Sequence, residues 1–124
     1  DKYFSEKKHQ KNVNNILILG VTFKENCPDI RNSKVFNIYN ILNKKENYNI
    51  DLHDPYVSKD EVFSQYKIKL LEKDQIKKKY YHCIVITVAH NHFLELNIHD
   101  YSFNASSLIY DIKGIYKNKN YMRL

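Results

Sequence analysis

The chain is poor in the residue that phosphate-binding loops are built from. It has two glycines, Gly20 and Gly114, in 124 residues. Neither belongs to a GxGxxG or a Walker-type pattern, so the sequence carries no dinucleotide fingerprint and no P-loop of its own. Cysteine is equally scarce. Cys27 and Cys83 form no CxxC, and no secretory pattern accompanies them, so reduced thiols in a cytoplasmic setting are expected. There is no run of about 18 apolar residues, which leaves no candidate membrane span. The start, Asp1-Lys2-Tyr3-Phe4, is neither a Met nor the beginning of a signal peptide. The polar, lysine-rich lead-in reads as a linker or the tail of a preceding helix over residues 1–13, with the folded domain over 14–124.

What is present is ordinary for a globular domain: 43% hydrophobic and 27% charged residues. At 124 residues there is room for one core and not for two. The net charge is +6 and the pI about 9.2, but the lysines are dispersed. The densest run, Lys77-Lys78-Lys79, falls at an expected helix end, where the helix dipole favours cations. A clustered basic face with stacking aromatics, as nucleic acid requires, is missing. An anionic small ligand accounts for the charge equally well.

Periodicity gives the architecture. Ile16–Leu19 is a continuous apolar run ending at Gly20, as in a strand covered on both faces. A helix is expected from about Asn32 to Asn43 with Val35, Ile38, Tyr39 and Leu42 on one stripe, and Asp29, Asn32 or Ser33 as its cap. Tyr48, Ile50 and Leu52 alternate with polar residues up to His53, as in a strand nearer an edge. A short helix from Lys59 to Gln65, a weak strand at Ile68 and Leu70, and a short helix from Glu72 to Lys79 follow. Cys83–Val88 reads as a second fully buried strand, Asn91–Leu96 as a short helix, and Ser107–Tyr110 as the last strand. Strands alternating with helices imply βαβ units. The fold class expected is α/β, a three-layer Rossmann-like sandwich around a mostly parallel sheet of four to five strands.

All carboxyl ends of a parallel sheet share one edge, where ligands of such folds collect. The loops on that edge are 20–31, 53–56, 89–92 and 111–116, and they hold both glycines and both prolines, Pro28 and Pro55. Gly20 is accounted for by the turn, Asp29 by a helix cap, and Asp54 by a local Asx-turn before Pro55. His90 and His92 suit one packed and one exposed histidine better than a metal site. Cys27 has no base placed beside it and reads as a packing residue. Lys24 and Arg31 stand out, because loop cations suit phosphate or carboxylate, arginine in bidentate fashion.

These residues resemble the C-terminal, UDP-binding domain of the UDP-glucose/GDP-mannose dehydrogenase family. The pattern Gly-x-x-Phe-Lys-x-x-x-x-Asp-x-Arg-x-Ser is met by Gly20, Phe23, Lys24, Asp29, Arg31 and Ser33. The likeness continues at Asp54-Pro55, from Ala89-His90 to Leu96, and at Tyr110-Asp111-Ile112-Lys113-Gly114, covering roughly residues 14–116. The variant Phe-Lys-Glu-Asn-Cys-Pro-Asp is most similar to the branch that oxidises UDP-N-acetylhexosamines for capsule and O-antigen sugars.

The resemblance implies a three-part, homo-oligomeric parent enzyme. An N-terminal Rossmann domain would bind NAD, a central helical region would dimerise, and this domain would bind the UDP-sugar. The parent would oxidise the C6 alcohol to a carboxylate in two NAD-dependent steps, with its catalytic residues outside this chain. By position, Phe23, Lys24 and Lys113 would contact the substrate, and Arg31 would reach toward the NAD side of the interdomain cleft. Gly114 replaces the second member of an Arg pair found in many relatives. The competing reading is a stand-alone, non-catalytic nucleotide-binding or regulatory module.

Overall fold

The computed structural model describes residues 13–22, 26, 30, 33–88 and 90–112. Four strands form its sheet: β1 (Asn14–Leu19), β2 (Tyr48–His53), β3 (Cys83–Ile86) and β4 (Leu108–Asp111). All pairings are parallel and the order is β2-β1-β3-β4. Ile16 and Ile18 are in register with Ile50 and Leu52 on one side and with Cys83 and Val85 on the other. The chain steps from β1 to β2, then passes back over β1 to β3. The reversal places the topological switch between β1 and β3, at the exits of Leu19 and Ile86.

The apolar run of β1 feeds two cores, as its continuous pattern requires. Leu17 and Leu19 join Tyr81, Ile84, Ile86, Phe93, Ile98 and Ile109 on one face. Ile16 and Ile18 join Val21, Ile30, Phe36, Leu52, Val62 and Leu70 on the other. Helices α1 (Val35–Asn43) and α2 (Lys59–Tyr66) cover the second face. The Ser58 side chain caps α2 by accepting from the Glu61 amide, at 3.2 Å.

Several expected elements come out shorter. The first core is covered by 3₁₀ turns at Lys73–Gln75, Asn91–Glu95 and Ile98–Tyr101, where two short helices were expected. Ile68 and Leu70 are buried but form no strand; the segment gives β2 a hydrogen bond from the Leu71 amide to the Leu52 carbonyl at 2.8 Å. Helix α1 starts at Val35. Ser33 Oγ accepts from the Val35 amide at 3.4 Å, while Asp29 and Asn32 lie outside the described residues. Val35, Tyr39 and Leu42 of the expected α1 stripe do face the core, but Phe36 is buried with them and Ile38 is 47% exposed. Phe36 stacks on Tyr66 of α2 at 4.1 Å between ring centres, which gives it a place in the core beside that stripe.

Strand β3 is not buried on both faces. Cys83 and Val85 are half-covered, and their register partners Leu108 and Tyr110 are exposed. Helices α1 and α2 pack over β1 and β2, and of the described residues of β3 and β4 only Cys83 packs against that core. Burial is enough to push the Cys83 thiol's pKa up, away from reactivity.

Candidate functional site

Gly20 ends β1 with φ at +108°, a conformation that side chains with a Cβ rarely adopt. A Cβ there would lie 2.9 Å from Val88 Cβ, so the strand exit packs directly on the chain leaving β3. Thr87 reinforces the contact: its hydroxyl donates to the Gly20 carbonyl at 2.6 Å. The loops after β1 and β3 therefore leave the sheet side by side.

The loop after β2 joins them through Asp54. Its Oδ1 accepts from the Tyr56 amide at 2.9 Å, the expected Asx-turn. Its Oδ2 reaches across to β1's loop, accepting from the amides of Val21 at 2.8 Å and Thr22 at 3.3 Å. The same oxygen lies 2.9 Å from His90 Nε2. Both side chains are fully buried, at 0% exposure. A buried carboxylate is tolerated only when its lone pairs are used, and here four N–H groups are directed at them.

The protonation of His90 follows from its partners. Nδ1 lies 2.8 Å from the Asn26 backbone nitrogen, which can only donate, so Nδ1 carries no proton. Nε2 therefore holds the hydrogen and directs it at Asp54 Oδ2, with Thr22 Oγ1 also 2.9 Å away. Both ring nitrogens are engaged, which leaves no lone pair to take a substrate proton. At the rim, Asn26 Oδ1 accepts from the Asn91 amide at 2.9 Å. Tyr56 packs against the His90 ring at 4.5 Å and shares a 3.0 Å hydrogen bond with His92. The packed-and-exposed histidine pair expected from the sequence is what the fold holds.

Sequence reasoning gave Asp54 only its local turn and missed its bond to His90. Thr22 and Tyr56 were missed altogether. A signal existed: with β1 between β2 and β3, the loops at 54 and 90 must both flank the loop at 20. The residues singled out as substrate contacts, Phe23, Lys24 and Lys113, lie outside the described residues, as do Arg31, Cys27 and Pro28. What the structure fixes are the points between them: Val21 and Thr22, then Asn26, then Ile30 buried at 2% exposure. Among the described residues no His/Cys/Asp/Glu cluster is built to hold a metal, and no helix is long and apolar enough to cross a membrane. A groove of about 670 Å³ lies among Glu72, Lys73, Asp74, Ile76, Lys78 and Tyr101. Its charges are of both signs, so it does not select an anion.

The family model for the UDP binding domain of the UDP-glucose/GDP-mannose dehydrogenases matches residues 17–118. The chain belongs to this family. A UDP-N-acetyl-D-glucosamine 6-dehydrogenase of Salmonella typhi is 35% identical over 102 residues, covering 81% of this chain and 23% of the relative. A Pseudomonas aeruginosa protein of the same name is 34% identical over 113 residues, covering 88% of this chain and 26% of the relative. The chain thus spans about a quarter of the length of the curated relatives it matches. Among solved structures, the UDP-N-acetyl-mannosamine dehydrogenase Cap5O from Staphylococcus aureus superposes with a TM-score of 0.66 at 24% identity. That match covers 89% of this chain and 26% of that one, and supports the α/β fold with its parallel sheet.

NAD, the oxidant such dehydrogenases imply, does not fit the glycine turn of this family member. A fingerprint glycine makes room for a pyrophosphate. The space in front of Gly20 is filled by Val88 and Thr87.

Proposed function

We propose that this chain is the UDP-sugar-binding domain of an NAD-dependent UDP-sugar 6-dehydrogenase. The substrate class is a UDP-N-acetylhexosamine or UDP-glucose, whose C6 alcohol becomes a carboxylate for surface polysaccharide. The names of the relatives support the reaction class and the amino sugar. NAD would be held mainly by another domain of a homo-oligomeric, cytoplasmic parent enzyme, consistent with the filled space at Gly20. The catalytic groups would lie there too, since His90 has both nitrogens committed.

One observation carries the binding role. The motif loop leaves the sheet at its topological switch, where open α/β sheets bind ligands. The amides of Val21 and Thr22 are consumed by Asp54 and have nothing left for a phosphate. With those two amides spent, the motif still offers an anion the cations of Lys24 and Arg31. In this reading Phe23 and Lys24 contact the UDP-sugar, Lys113 approaches it from the end of β4, and Arg31 faces the NAD side.

Calorimetry on the enzyme in its natural full length tests the assignment. Lys24→Ala is expected to weaken UDP-N-acetylglucosamine binding by about 1.5–3 kcal/mol, the worth of a charged hydrogen bond. NAD binding stays as it was. Unchanged sugar-nucleotide affinity would remove Lys24 from the site.

A further inference from the structure

A local Asx-turn needs only one of Asp54's oxygens. The other is spent on the loop after β1, 32 and 33 residues away in sequence. His90 is spent the same way: one nitrogen on Asp54, the other on the Asn26 amide, 64 residues away. Burying a carboxylate and an imidazole is costly where an apolar pair would pack. Yet the bonds from these two side chains converge on Val21, Thr22 and Asn26. Those residues bracket Phe23 and Lys24.

Asn26 adds a second, independent mark. Its φ is +55°, in the left-handed region that asparagine enters more readily than other residues with a Cβ. Its amide is held by His90 and its side chain by the Asn91 amide, so the loop after β3 fixes it on both sides.

We propose that Asp54 and His90 are positioning residues for the nucleotide loop. They clamp its backbone immediately before and after Phe23-Lys24-Glu25 and so set where Phe23 and Lys24 stand toward the UDP-sugar. The clamp requires His90 in its Nε2–H form, because a proton on Nδ1 would oppose the Asn26 amide. The proposal rests on the UDP-binding reading given above.

Two substitutions separate the clamp from simple packing. Glutamine at position 90 carries an amide nitrogen to where Nε2 stands but offers nothing to the Asn26 amide. Asparagine places its carbonyl oxygen where Nδ1 stands. Amide hydrogen exchange and calorimetric titration with UDP are measured on the wild-type chain, His90→Gln and His90→Asn. In His90→Gln, exchange at Asn26 is expected to speed up and the UDP Kd to rise, each about tenfold, the worth of one hydrogen bond. Core amides such as Leu17 and Ile84 keep their protection. His90→Asn restores Asn26 protection and most of the UDP affinity. Wild-type UDP affinity in His90→Gln, with Asn26 exchanging freely, overturns the proposal. If both variants lose core protection, Asp54→Ala decides. It removes the acceptor of the Val21 and Thr22 amides; faster exchange at those two amides with a UDP Kd raised about threefold or more supports the clamp, and faster exchange there with an unchanged Kd overturns it. Failure of the wild-type chain to take up UDP would refute the functional reading instead, while exchange at Asn26 still reports whether His90 holds the loop.

Discussion

Gly20 carries the chain out of β1 in a backbone conformation that residues with a Cβ rarely adopt. A lone glycine after an apolar run reads as a turn, and the turn is there, at φ +108°. The fold adds a reason the sequence does not contain: Val88 occupies the place of a side chain. Gly20→Ala therefore combines backbone strain with a clash and is expected to cost about 2–3 kcal/mol. Urea unfolding checks this; a loss under half a kcal/mol would mean that the β1 and β3 exits are not packed as described. His53 makes a pH-dependent claim at the same scale. Burial lowers its pKa, against opposing contributions from the Leu71 carbonyl it donates to and from the Asp54 and Glu72 charges, while Lys73 lowers it further. Its folded-state pKa lies below the ordinary value of about 6.5. Its contribution to stability is thus complete above that pH and is lost as pH falls below it. The urea midpoint should drop between pH 7.5 and 5.5, and drop less in His53→Gln. Equal drops in the two proteins would contradict a buried neutral His53.

At the scale of elements, periodicity found the strands and misjudged what lies between them. Strands β1 and β2 declare themselves because burial follows a two-residue alternation or an apolar run, His53 at the end of β2 excepted. The segments at 73–75 and 91–95 contain helix-like spacing but are too short to propagate an α-helix, and tertiary packing of Ile76 and Phe93 holds them as 3₁₀ turns. The burial of Phe36 beside the expected α1 stripe was not legible either, since it depends on Tyr66, a residue on another helix. Helix α2 has eight residues, five of them exposed, so its start matters. Ser58→Ala removes the hydroxyl that accepts from Glu61 and is expected to cost about 1 kcal/mol. Urea denaturation measures it. No change would show that packing of Val62 alone holds α2 in place.

Over the whole molecule, the strand order turns three separate loops into one place. Asp54 and His90 stand 36 residues apart in sequence, yet their side chains meet because β1 lies between the strands they follow. That is why the edge was legible and the pair was not: the sequence shows which loops share an edge, while strand order decides which of them touch. The motif from Gly20 to Ser33 was recognisable as a family pattern, and its anchors at Val21, Thr22, Asn26 and Ile30 are now explained by hydrogen bonds and burial. The central claim is that this edge binds the UDP part of a sugar nucleotide. Amide chemical-shift mapping during a titration with UDP tests it most directly. The account expects saturable shifts at Val21, Thr22, Asn26, Tyr56, His90 and Asn91. No shifts, or shifts confined to the groove around Glu72 and Lys78, would contradict it.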